Sequence, residues 1–168
     1  GRRSGADVAT AAFGSSICFK MDHPVATFSF PADLHMLAIW TGESASTTSY
    51  LKKVEAWRAI NPDRFEYHIE RLSKCTSDFL EAENTVSQIS KIQLYDRYLH
   101  DLSEDSKVKF YNNSHITLQK EVESARGIYK PSGAGGGDFG IAFSTDEDIL
   151  SSLAEKIVQE GRLAFRIR

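Results

Sequence analysis

Residues 130–140 read K-P-S-G-A-G-G-G-D-F-G and run directly into Ile141-Ala142-Phe143. Gly133, Gly135, Gly136 and Gly137 strip one stretch of backbone of its side chains. Glycine is favoured where φ must be positive or where backbone approaches another group closely. Successive N–H groups in such a turn form a nest for an anion. Lys130 brings a positive charge to one end, Asp138 a carboxylate to the other, and Pro131 fixes the entry. The natural guest is a polyphosphate or a phosphorylated metabolite. A flexible linker would carry more serine and continue into polar chain, whereas this run enters an apolar strand at once.

Three formal motif matches fail on context. Gly135 to Gly140 fits G-x-G-x-x-G, but a dinucleotide fingerprint follows a strand and opens a helix, and here a strand follows the loop. No G-K-[ST] succeeds the glycines, so the run is not a Walker-type loop. Asp138-Phe139-Gly140 spells D-F-G without the H-R-D or V-A-I-K segments of a protein kinase.

The chain has 168 residues, enough for one domain with a real core, or for one domain plus a piece of another. A net charge of −3 argues against a dedicated nucleic-acid binder, and the arginines near the two ends (Arg2, Arg3, Arg162, Arg166, Arg168) form no evident basic patch. No apolar run reaches membrane-spanning length, so a membrane is not an expected partner. Cys18 and Cys75 fit no C-x-x-C pattern and read as free thiols of a reducing cytosol. The cytoplasm is the expected compartment. The histidines show no metal-ligand spacing, so no metal site is expected from them.

Ala6-Asp7-Val8-Ala9-Thr10-Ala11-Ala12-Phe13 reads as a small-residue helix ending near Gly14, with Asp7 in its first turn. Strands are expected over 17–20, 25–30 and 35–40. Glu43-Ser44-Ala45-Ser46-Thr47-Thr48 is read as opening a helix that runs to about Ile60, with Asn61-Pro62 as its end. Phe65, Ile69, Leu72, Thr76 and Phe79 mark one face of the next helix. Val86, Ile89, Leu94, Leu99 and Leu102 mark another, and Tyr111, His115, Leu118, Val122 and Ala125 a third that Gly127 stops. His115 on such a face reads as a satisfied core histidine. After the loop, 140–144 is a strand, Thr145-Asp146-Glu147-Asp148 caps a helix to Glu160, and 163–167 is the last strand. The order predicts an α+β chain with a ferredoxin-like split βαβ layout and inserted helices.

Three stretches resemble one family. K-P-S-G-A-G-G-G-D over 130–138 is similar to the third motif of the GHMP small-molecule kinases, and the Asp after three glycines resembles the phosphomevalonate kinase branch. Ser4-Gly5-Ala6-Asp7-Val8-Ala9 resembles the segment that holds the superfamily's active-site aspartate. Trp40-Thr41-Gly42-Glu43-Ser44-Ala45-Ser46-Thr47 is similar to the W-T-G-x-x-A-S-T stretch of that branch. Arg3, where a glycine is expected, and Phe139, where a small residue is expected, depart from the pattern.

The resemblance implies a GHMP kinase C-terminal domain over residues 32–168, preceded by the end of the N-terminal domain over 1–31. The P-x-x-x-G-L-G-S-S-A loop that covers the ATP phosphates in such enzymes does not occur in this sequence. ATP and Mg²⁺ are therefore expected to be bound largely by an N-terminal domain of the same polypeptide. By the same resemblance Asp7 is the catalytic carboxylate. Ser4, Gly5, Ser44, Ser46, Lys130, Ser132, Gly133, Ala134, Gly135, Gly136, Gly137 and Asp138 face the substrate, phosphomevalonate. Local chemistry leaves alternatives open at several of these. Lys130 is a point charge or a surface lysine, and Asp138 orients an acceptor hydroxyl or caps the turn. Ser44 and Ser46 are an anion site at a helix start or plain capping residues. Alternative functions are another GHMP kinase, acting on mevalonate or a sugar phosphate, and a free-standing non-catalytic module that binds a phosphometabolite.

Overall fold

The computed structural model describes residues 5–133 and 135–167, and of Asp7 the backbone alone. The chain divides into two compact units, Gly1–Ala32 and Asp33–Arg168. In the first, helix α1 (Ala6–Phe13) lies between Gly5 and Gly14, both left-handed, and the Gly14 N–H donates to Thr10 O at 2.9 Å. A short antiparallel hairpin of β1 (Ile17–Cys18) and β2 (Ala26–Thr27) follows. Both strands are shorter than the alternation in the sequence suggests.

The second unit is built on four antiparallel strands: β3 (His35–Trp40), β4 (Ile128–Pro131), β5 (Phe139–Ser144) and β6 (Ala164–Ile167). Their order is β4-β5-β3-β6. With helix α6 (Glu147–Gln159) between β5 and β6, this is the split βαβ order expected from the sequence. Four helices fill the first crossover: α2 (Thr47–Ile60), α3 (Pro62–Leu80), α4 (Thr85–Ser106) and α5 (Asn113–Ser124). Leu37 and Ile39 of β3, Ala142 of β5 and Tyr129 of β4 close over Leu118 and Val122 of α5 and Leu150, Leu153 and Ile157 of α6. Alternation along β3 and β5 sends these residues to one face, and the 3.6-residue period of the helices meets them there. Leu72, Leu102, Val108, Phe110 and Tyr111 form a second cluster with aromatic residues of α2 and α4.

Sequence signals placed most helix ends within a few residues. Pro62 stands at the start of α3, and the side chains of Asn84, Asn112 and Asp146 accept from Ser87, His115 and Asp148 N–H. Two expectations are corrected. Helix α2 begins at Thr47, because Glu43 O and Ala45 N–H are bonded to Asp138 and Ser46 is the extended N-cap. On α4 the expected stripe holds at its end, where Leu102 is buried and Leu99 packs beside it, but not at its start: Val86 is 75% exposed, while Thr85, Gln88, Ile92 and Asp96 are buried. Thr85 and Asp96 are tolerated there because they are paired, while Gln88 Oε1 is buried without a hydrogen-bond partner among the described residues. Thr85 bonds Asp33, and Asp96 accepts from Tyr111 and, at 3.3 Å, from Gln119.

Candidate functional site

The β4–β5 hairpin carries the glycine loop at its tip, and the register Trp40↔Phe139 brings the end of β3 beside it. The segment after Trp40 is thereby laid against the loop. Asp138 adopts φ 58 and makes three bonds to that segment. Its N–H donates to Glu43 O (2.7 Å), its carbonyl accepts from Thr41 N–H (2.9 Å), and its Oδ1 accepts from Ala45 N–H (3.3 Å). One carboxylate oxygen of Asp138 is thereby engaged by the segment after β3, and Oδ2 has no partner among the described residues.

The glycines are there for close approach. At Gly136 a Cβ would fall 1.8 Å from the Tyr50 hydroxyl, and at Gly137 2.9 Å from Glu43 O. The Gly136 N–H donates to Phe110 O at 2.6 Å, and Ser132 N–H to Phe139 O at 2.9 Å. Several N–H groups that the sequence suggested for an anion are thus spent inside the protein. Gly133 is exposed, with nothing within 4 Å of the Cβ it lacks, and it is the open part of the loop.

The first turn of α5 meets the loop from below. Asn112 Nδ2 donates to Gly136 O (3.1 Å) and to Glu43 Oε2 (3.1 Å), and Ser114 Oγ donates to Glu43 Oε1 (2.6 Å). A carboxylate at this helix end also suits the positive end of the dipole. A cavity of about 260 Å³ adjoins this corner, lined by Trp40, Thr41, Asn113, Ser114, Thr117 and Leu118 among others.

His115 is fully buried, with Nε2 3.1 Å from Gly137 O and Nδ1 2.7 Å from the Tyr129 hydroxyl. Nε2 must carry the proton to bond a carbonyl, so Nδ1 accepts from Tyr129. The satisfied core histidine read from the sequence is what the structure contains. Burial lowers its pKa; the Gly137 bond and the charges of Glu43 and Asp138 oppose this, and Lys130 adds to it. In the unfolded chain the same imidazole titrates near its ordinary value of about 6.5. The unfolded state then binds the extra proton first, so stability is full above about pH 6.5 and is lost as pH falls through the lower folded value. Thermal melts between pH 8 and 5 should show this loss. His115→Gln, which cannot titrate, should show a smaller one, and equal slopes in the two proteins would refute the assignment.

Lys130 lies on β4, turned toward α4. Its ammonium donates to Pro131 O (2.8 Å) and stands 5.3 Å from the Tyr95 ring centroid, and burial lowers its pKa against the pull of Asp96. It is not among the groups that converge on the loop. Ser46 caps α2, accepting from Ser49 N–H at 3.4 Å, and Ser44 is exposed on the segment beside Gly137. Gly5 caps α1 in the other unit. Ser4 and Ala134 lie outside the described residues, as does the side chain of Asp7. Sequence reasoning missed Glu43, Asn112 and Ser114 as site residues. The Asn112-Asn113-Ser114 run is a helix-start signal that would have marked the α5 end, but nothing local points it at the loop.

No family model matches the sequence. The phosphomevalonate kinase of Streptomyces sp. (strain CL190) is 31% identical over 126 residues, 71% of this chain and 33% of that protein. Among solved structures, L. major mevalonate kinase in complex with R-mevalonate matches with a TM-score of 0.81 at 20% identity. That match covers 99% of this chain and 52% of the other. Streptococcus pneumoniae phosphomevalonate kinase in complex with phosphomevalonate and AMPPNP matches with a TM-score of 0.60 at 22% identity, over 86% and 43% of the two chains. The chain spans about a third to a half of the length of these proteins. In sequence and fold it is like the GHMP-type kinases, and like phosphomevalonate kinase in particular.

Proposed function

We propose that this chain is the C-terminal part of an ATP-dependent phosphomevalonate kinase. Residues 32–168 are its C-terminal domain and 1–31 the end of its N-terminal domain. The enzyme transfers the γ-phosphate of ATP to 5-phosphomevalonate, giving 5-diphosphomevalonate for isoprenoid precursor synthesis in the cytoplasm. One observation carries the reading. The glycine loop and the W-T-G-E-S-A-S-T segment, which each resemble this family by themselves, are joined into a single construction by the three bonds of Asp138. Phosphoryl transfer depends on holding the reactants and neutralising charge on the transferred group more than on covalent chemistry. A loop clamped from both sides, with Ser132 and Gly133 left at its open edge, suits that task.

ATP and Mg²⁺ fall largely to the remainder of the polypeptide in this reading. Among the described residues, no group of three His, Cys, Asp or Glu side chains is placed to hold a metal ion. That the relative from S. pneumoniae was solved with phosphomevalonate and AMPPNP supports ATP as donor and a phosphate as acceptor. No helix among the described residues is long and apolar enough to cross a membrane.

The test is acceptor choice in the full-length protein. With ATP and Mg²⁺, kcat/KM for phosphomevalonate should exceed that for mevalonate by at least about 10²-fold, because a site built for a charged group is left with unpaired donors by an analogue that lacks it. A preference for mevalonate or a sugar phosphate would move the protein to another branch. Absence of turnover on all three would leave a binding module.

A further inference from the structure

The shape of the glycine loop is not selected by the loop. A glycine backbone takes positive and negative φ about equally well, and fixing each residue costs roughly 1–2 kcal/mol. Gly135 and Gly136 are held at φ 69 and 74. What holds them comes from the start of α5 and the residues just before it. Phe110 O receives the Gly136 N–H, Asn112 Nδ2 binds Gly136 O, and His115 Nε2 binds Gly137 O. Two successive carbonyls are drawn to one helix end. His115 cannot turn away, because its Nδ1 is tied to Tyr129, whose ring fills the space a Cβ on Gly140 would need, 1.9 Å from the hydroxyl. A buried column thus runs from the foot of the loop to the strand that leaves it.

We propose that Asn112 and His115 are positioning residues of the phosphoryl-transfer site. By drawing the Gly136 and Gly137 carbonyls inward, they fix the one loop conformation that presents Ser132 and Gly133 to the phosphorylated ligand. The inference rests on the kinase reading above. Both residues act through the loop and touch no reacting atom. Asn112 also caps α5 through Oδ1, which receives the His115 N–H at 2.9 Å. Its two functions are separable, since serine caps a helix about as well as asparagine but has no amide donor to reach Gly136.

The experiment compares Asn112→Ser, His115→Leu and His115→Gln in the full-length protein. Asn112→Ser should keep the melting midpoint near that of the wild type. Its kcat should fall by about 10²-fold with KM for both substrates little changed, as expected when reacting groups are misplaced by about an ångström. His115→Gln keeps a donor for Gly137 O and should recover most of the activity that His115→Leu loses. Amide exchange gives a readout independent of turnover: the Gly136 N–H should be protected in the wild type and exchange faster in Asn112→Ser. Unchanged kcat in Asn112→Ser overturns the proposal, whether or not Gly136 loses its protection. If the wild type phosphorylates no acceptor, the kinase reading fails and takes the catalytic part of this inference with it. Gly136 protection in the two proteins then decides whether the loop is held as described.

Discussion

Gly135→Val in the full-length protein is expected to abolish turnover and to lower stability. A Cβ at residue 135 would lie 2.6 Å from Phe110 O and 3.1 Å from Phe110 Cα, both backbone atoms that cannot swing aside. The φ of +69 adds its own cost, about 1–2 kcal/mol for an L-residue in the left-handed region, and a β-branched side chain bears it worst. The loop must therefore leave Phe110, which breaks the Gly136 N–H bond and draws Gly136 and Gly137 off α5. The core around Leu37, Ile39 and Ile157 lies elsewhere and should survive. A cooperative melt at reduced temperature, with no measurable kcat, is the expected pair of results. Near-normal kcat in the folded variant would reduce the loop to a connection and remove the basis of the functional reading.

Asp7→Asn should separate the two kinds of acceptor. On the proposed reading Asp7, whose backbone lies in the first turn of α1, is the active-site carboxylate. An alcohol acceptor must lose its proton, and a general base contributes about 10²–10⁴-fold to such a step. A phosphate monoester has a second pKa of about 6 and is already mostly deprotonated at neutral pH. With phosphomevalonate as acceptor, the proposed reading expects Asp7 to hold a lysine of the rest of the polypeptide or Mg²⁺ rather than to accept a proton. The variant should turn over more slowly while its pH–rate profile keeps its shape. Loss of an acidic limb in that profile, together with a preference for a hydroxyl substrate, would indicate an alcohol kinase. No kinetic change would leave Asp7 as an ordinary helix-start residue.

The sequence by itself determined what is local. Glycine content announced the loop, because only glycine relieves the contacts that later appeared at Gly135, Gly136 and Gly137. Alternation located β3 and β5, Asn61-Pro62 located the end of α2, and the Thr145–Asp148 cap located the start of α6. Strand and helix order then gave the split βαβ layout, since few topologies accommodate it. Tertiary structure decided whatever depends on partners far away along the chain. Asp138 bonds to Ala45, Asn112 to Glu43, and Ser114 to Glu43, contacts created only when the β3–β5 register sets these segments side by side. The burial of Asp96 in place of Val86 has the same origin, for the fold brings this carboxylate two hydrogen-bond partners, Tyr111 and Gln119. Composition marked where the glycine loop must be; the packing of α5 beneath it fixed which of its groups are spent on the protein and which are left facing out.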